Sequence, residues 1–461
     1  MRRGSVIGPL ILIGFGILFL FRNLWPEIPL VDFISRFWPF LLIGWGAIRL
    51  IEVLVWSTTG RPLPRNGVSG GEWMLIFVIC VIGATMYTAH NYSSWFPAGH
   101  ALRRIAINMG ETFDYTLVPT EKPCAKNCRI VLESFRGNAK ISGSADATTV
   151  KASGQETVRS FQQTDADSAN KQTPLELIQQ GDQIIVRTNQ DKVNDRVQPT
   201  ADLDITVPQG SSIEAHGRYG DFDIQSINGN VDINSDNAGV RLENIGGNVH
   251  IDTRASDTIR AVDIKGSLEL KGRGDDVELQ NVAGLVTVNG VYVGEIQLRN
   301  LTQPLRWEDP QSSLSFEKLP GQIRLSRGEL TGNNITGPLR FKARSSDVQL
   351  SNFTQTLDLT LDRGDIDLKP GKELPRMQVH TRSGDITVSL LPGSKFDLRA
   401  TTDRGDAENE YGEPLHEEES GRGNIIQGNT GGGPELRLET GRGSINVRKA
   451  TAEDAVAPEI P

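Results

Sequence analysis

The sequence predicts an all-β parallel β-solenoid, with about 18–20 residues and two strands per coil, anchored by an N-terminal bundle of three transmembrane α-helices. Three observations predict it. From Tyr219 onward, apolar–any–apolar triplets return about every nine residues. Clusters of Gly, Asn, Asp or Ser separate the triplets. The first ninety or so residues hold three long apolar runs unlike anything that follows.

The membrane anchor is read at 1–92. Residues 5–21 (SVIGPLILIGFGILFLF), 37–56 (FWPFLLIGWGAIRLIEVLVW) and 73–90 (WMLIFVICVIGATMYTAH) are each long enough to cross a hydrocarbon core of about 30 Å as a helix. Trp25, Trp38, Trp56, Trp73 and Trp95 sit near the ends of these runs, at the level of interfacial aromatics. Arg2-Arg3 before an apolar run also fits a signal peptide, but no small-x-small cleavage site follows it and two further apolar runs do. Arg49 and Glu52 lie toward one end of the second run and read as a snorkelling, interface-level pair. Arg2, Arg3, Arg61 and Arg65 favour an inside N-terminus, and three crossings then place the rest of the chain outside the cytoplasm. Arg22, Arg36, Arg103 and Arg104 weaken that bias.

Residues 93–210 read as a strand-rich lead-in, with a polar, mobile loop at 160–173 (SFQQTDADSANKQT). Cys124 and Cys128, in KPCAKNCR, form a candidate disulfide if the domain meets an oxidising compartment, and are two free thiols if it does not. No His stands near enough to complete a zinc site.

The repeats are read at 211–449. Their first apolar positions include Phe222, Val231, Val240 and Val249, then Leu268, Val277 and Val286, with one compressed turn near Leu330. Apolar residues two apart face one side of a pleated chain, and glycine this frequent opposes a helix. A fixed short period implies a repeat architecture. Every second beat carries a stronger corner, and its candidate residues are Gly220 and Asp221, Gly274 and Asp275, Gly364 and Asp365, Gly384 and Asp385, and Gly405 and Asp406. Identical corners stack naturally on one side of a coil, which favours the solenoid over an antiparallel meander. The tripeptide Arg-Gly-Asp at Arg363–Asp365 and Arg404–Asp406 is then one spelling of a corner, not an adhesion ligand. Arg363 and Arg404 read as local charge partners of the neighbouring acids.

No phosphate-binding loop, nucleophile elbow or H-E-x-x-H zinc motif occurs, and the six His are scattered. The chain points to no catalytic residue, cofactor or metal. The leading enzymatic alternative is a polysaccharide-active β-helix that uses stacked Asp residues. Calcium would need the full nonapeptide motif, of which GRGDDVEL is a fragment. Residues 416–420 (HEEES) read as a solvated acidic loop and 450–461 as a disordered tail. Residues 101–461 hold 41 Lys and Arg against 53 Asp and Glu, a net charge of −12, which argues against nucleic acid as a partner.

Two stretches resemble known families. GPLILIGFGILFLFRNLWPE with WPFLLIGWGAIRLIE, roughly 5–55, is similar to the LiaI–LiaF-like transmembrane region of bacterial envelope proteins. DLDITVPQGSSIEAHGRYGDFDIQSINGNVDI and the repeats after it resemble the putative-adhesin β-repeat domain of unknown function. The resemblance implies a solenoid on a membrane-anchored bacterial protein, and it brings no catalytic residues. The expected function is a non-enzymatic scaffold, adhesion module or regulatory interaction module at the cytoplasmic membrane, its C-terminal domain extracytoplasmic. Its partners would be the membrane itself and a protein or envelope component, with homo-oligomers forming through open solenoid ends. With inverted topology it would be a cytoplasmic scaffold.

Overall fold

The computed structural model describes residues 110–124, 127–193 and 197–451, together with Ile43 and Cys80. Apart from those two residues, the three apolar runs lie outside the described residues, as do residues 452–461. Among the described residues no helix is long and apolar enough to cross a membrane. The chain divides into two compact units.

The larger unit comprises Thr116–Gln155, Pro174–Gln190 and the chain from Ala201. It is a stack of two-stranded rungs, as the beat predicts. On the first face, Ser212–Tyr219, Val231–Asn237, 249–255, 268–274 and Val286–Tyr292 run parallel in consecutive rungs. On the second face, Phe222–Ile227, Val240–Ile245, 259–264, 277–282 and Ile296–Leu301 do the same. Register places like on like. Ala215, Ile233, Ile251, Leu270, Val288 and Trp307 form one buried column. Ile224, Leu242, Ala261, Leu279 and Leu298 form another. The two faces enclose one continuous apolar core. Each fully buried Leu or Ile contributes about 1.5–3 kcal/mol, so the cohesion is spread along the stack.

The stack begins earlier than residue 211, where the repeats become legible in the sequence. Arg129–Arg136 pairs on one side with Ser212–Tyr219 and on the other with Gln183–Arg187. Ala139–Ser144 lies between Phe222–Ile227 and Gln198–Pro208. An early segment is thus inserted between two later ones. The other end mirrors it. Glu435–Thr440 sits between Arg376–Thr381 and Asp397–Thr402, and Ile445–Lys449 sits between Ile386–Leu390 and Ala407–Glu410. The last rung in the chain is therefore the penultimate rung of the stack.

One rung runs backwards. Leu305–Glu308 and Ser313–Phe316 are antiparallel, as are Ser313–Phe316 and Leu339–Ser345. On the second face, Leu319–Ser326 is antiparallel to Ile296–Leu301 and to Glu329–Thr336. Hairpins replace the corner there, and the compressed spacing near Leu330 is their trace. The hairpins leave a cleft of about 510 Å³ whose lining includes Tyr292, Leu325 and Phe341.

On the first face, hairpins cover the strands at both ends of the stack. Glu176–Gln180 covers Gln183–Arg187 as an antiparallel hairpin. Gly423–Asn429 covers Asp397–Thr402, and His416–Ser420 covers Gly423–Asn429 in turn. HEEES is thus an exposed edge strand, not the loop its composition suggests. Its three glutamates discourage further strand addition.

The smaller unit draws on residues up to Tyr115, Glu156–Thr173 and Asp191–Thr200. Here a second expectation is corrected. Gln163–Gln172, read as mobile loop, is an α-helix. Its apolar signal is only Ala166 and Ala169, both buried against Val158 and Val197. Alanine forms helices best yet registers weakly as hydrophobic periodicity. Asp165 in the first turn and Lys171 in the last suit the helix dipole.

Candidate functional site

The corner where the first face turns into the second gathers most of the chemistry. Gly220, Gly364, Gly384 and Gly405 have φ of 123°, 136°, 150° and 144°. At Gly364 a Cβ would stand 1.9 Å from the Ser346 carbonyl oxygen, so this corner needs glycine for both conformation and clearance. Gly274 and Asp275 differ. They lie inside the continuous strand Leu268–Val282, and the positive φ of that rung belongs to Gly272, at 121°. The chain there passes from face to face without a break.

The Asp residues are tied to the backbone. The Gly239 N–H donates to Asp221 Oδ1 at 3.0 Å. The Asp365 N–H donates to Asp347 Oδ1 at 2.9 Å, the Asp385 N–H to Asp365 Oδ1 at 2.9 Å, and the Ser444 N–H to Asp385 Oδ1 at 2.7 Å. Each carboxylate thus fastens the following rung. Asp275 and Asp406 are exposed, and their carbonyls accept from Gly294 and Ile445.

Arginines form a second ladder beside the acids. In stacking order they are Arg344, Arg363, Arg382, Arg442 and Arg404, one on each of five successive rungs, all exposed. Among the described residues none of them forms an ion pair, which corrects the reading of Arg363 and Arg404 as partners of the acids. Four of the five, with Ser345, Ser383 and Asp362, line a groove of about 580 Å³. The sequence signal was present as RGD at 363–365 and 404–406 and RGS at 442–444, with the variants RSSD at 344–347 and RSGD at 382–385.

The opposite corner holds a ladder that the nine-residue beat does not single out. Asn244, Asp263, Asn281 and Asn300 have φ between 50° and 58°. Asn281 Nδ2 donates to Asp263 Oδ1 at 2.7 Å, and Asn300 Nδ2 to Asn281 Oδ1 at 2.8 Å. The motif is apolar-x-apolar-x-Asn-apolar, as in VELQNV and IQLRNL. Asn is the residue that best tolerates the left-handed region while hydrogen-bonding along a stack.

Two further groups stand apart. Cys124 and Cys128 have Cα atoms 6.1 Å apart and joined sulfurs, and Cys128 is buried beside Ser211. In the smaller unit, Glu156 is wholly buried and accepts from the Thr173 hydroxyl at 2.7 Å. Burial pushes its carboxyl up to about 7, against the opposing pull of that hydrogen bond. Among the described residues no cluster of His, Cys, Asp and Glu is arranged to hold a metal.

Comparison with known proteins adds identity to this geometry. Three crystal structures share a likeness of low global overlap. A putative cell adhesion protein from Clostridium sporogenes is 9% identical, with 73% of this chain and 100% of that one covered and a TM-score of 0.18. A putative adhesin from Bacteroides fragilis is 10% identical, covering 72% and 96%, with a TM-score of 0.20. A putative adhesin from Parabacteroides distasonis is 10% identical, covering 73% and 97%, with a TM-score of 0.19. None of the curated proteins matches. Residues 7–101 match the LiaF transmembrane domain. Residues 140–448, well over half of the chain, match the Toastrack DUF4097 profile, and the chain belongs to that family.

Proposed function

We propose that this membrane-integral protein is a non-enzymatic scaffold of the bacterial cell envelope, with the N-terminal segments as a three-helix anchor and the rung stack extracytoplasmic. The observation that carries this reading is the use made of the corner acids. Asp221, Asp365 and Asp385 spend an oxygen on the backbone of the next rung, which is structural work. What the stack then offers is a rigid surface with chemically repeating corners, suited to engaging a protein or an envelope component. The Cys124–Cys128 bridge supports an oxidising compartment for the large unit.

Thiol labelling tests the reading in cells. Spheroplasts and lysed cells are treated with a membrane-impermeant maleimide, with and without prior reduction, alongside a Cys80→Ser control. The expected result is labelling of Cys124 and Cys128 in intact spheroplasts after reduction only. Protection until lysis would place the stack in the cytoplasm and sink the envelope role.

A further inference from the structure

The arginine ladder has no use in the account so far. The corner turns require the glycine and the acid. The residue before the glycine is free to vary, and in the rung of Gly220 it is Tyr219. Yet five successive rungs place arginine there or one position away, in a unit whose overall charge is negative. Neighbouring rungs of a sheet are about 4.8 Å apart, well inside the screening length of about 8 Å at physiological salt. The four lining arginines alternate between two columns, so those within a column are two rungs, about 10 Å, apart, with Asp362 between Arg344 and Arg382; the residual repulsion between them is what a bound anion relieves.

The groove has donors beyond the arginines. Ser345 and Ser383 alternate with Arg363 and Arg442 along one column of the corner. Among the described residues their hydroxyls make no hydrogen bond. Asp362 is the single acid in the lining, while Asp347, Asp365 and Asp385 stand outside it with an oxygen turned onto the backbone. The arginines zigzag between two columns: Arg344 and Arg382 in one, Arg363 and Arg442 in the other. A tetrahedral phosphate offers oxygens to both sides of such a zigzag, whereas a carboxylate presents one edge to one guanidinium fork. No aromatic side chain lines the groove, so nucleic-acid bases have no stacking platform.

We infer that this corner groove binds a linear phosphate-bearing polymer other than nucleic acid, laid along the stack with its charges on Arg344, Arg363, Arg382 and Arg442. The site is a repeated charge reader: affinity grows with the number of linked phosphates, and a single phosphate is held weakly. This does not rest on the topology proposed above, because the groove is the same on either side of the membrane.

The test uses the full chain in zwitterionic detergent, with linear inorganic polyphosphate of about ten units as probe. Orthophosphate, polygalacturonate and a single-stranded oligonucleotide of matched charge are the comparisons. Polyphosphate is expected to bind at least tenfold more tightly than each of them, with an affinity that falls steeply with salt. The quadruple variant R344Q/R363Q/R382Q/R442Q is expected to lose at least thirtyfold and to lower the salt slope by about 3. Arg260→Gln, which breaks the Arg260–Glu278 pair on another rung, should change neither. If the quadruple variant unfolds, the doubles R344Q/R363Q and R382Q/R442Q carry the same comparison at about half the slope change. Equal binding by wild type and variants overturns the inference, as does polygalacturonate or the oligonucleotide matching polyphosphate. Salt-sensitive self-association lost in the variants, without polyphosphate binding, overturns it in favour of an acidic surface on a second copy.

Discussion

Single residues in this chain are specified by the stack more than by their neighbours in sequence. Gly364→Ala brings a Cβ to 1.9 Å from a carbonyl oxygen at a φ of 136°, and should cost about 2–4 kcal/mol in denaturant unfolding. Asn281 is held at φ 56° and bonds both Asp263 and Asn300. Asn281→Ala should lose about 1–2 kcal/mol, and Asn281→Gly should recover the backbone part but not the ladder. Glu156 acts on stability in the opposite sense from a surface carboxylate. Its folded value of about 7 lies above the ordinary 4.5, so the folded state keeps a proton that the unfolded state has released. The stability it lends is full below about pH 4.5 and is lost as pH rises to about 7, on the order of 3 kcal/mol. Unfolding of wild type and Glu156→Gln compared across that window should show a difference that opens with rising pH, the variant being the more stable at pH 8. None of this was legible for Glu156, which is one glutamate among many until Thr173 and the helix fold over it. The Gly-Asp corners were legible because turn chemistry is local; the Asn ladder was less so, because its function depends on the residue one rung away.

Rungs and hairpins are the scale at which the sequence was most and least informative. The strands followed from the nine-residue beat, and their parallel pairing from the recurring corners, which stack naturally on one side of a coil. The reversed rung at 313–326 was visible only as a shortened interval, because a backwards strand has the same alternation as a forward one. The helix Gln163–Gln172 was missed because two alanines suffice to bury it. The order of rungs at the two ends was not legible at all, since pairing between 129–136 and 183–187 leaves no trace in spacing. That order makes an element-level prediction. A chain stopped after Asn429 lacks the rung that separates 376–390 from 397–410. Hydrogen exchange should show both neighbours losing protection, while a chain stopped after Thr451 should match the full chain. Equal protection in the two truncations would mean that the inserted rung is dispensable.

At the scale of the whole molecule, charge and edges decide what the protein can meet. The acids outnumber the bases, yet a run of unpaired arginines is gathered on one corner, so a net charge alone misdescribes the surface. The carboxylates of Asp347, Asp365 and Asp385 at that corner are committed to structure. Replacing Asp365 and Asp385 by Asn keeps an acceptor oxygen at each, and the double variant should retain its fold and any partner. Glycan turnover abolished by that variant would instead revive a catalytic role. The covered first-face ends also bear on assembly: hairpins and an acidic edge strand stand where copies would otherwise join through those strands. The inserted terminal rungs have one more consequence, for the order of events in synthesis. Residues 397–410 leave the ribosome before 435–449 but can dock only after them, because the later strands fill the space between. Folding from the N-terminus therefore pauses two rungs short of the end until the final strands are delivered. A nascent chain that stalls inside that interval keeps unpaired edges on display, and closing them certifies that synthesis has passed residue 449.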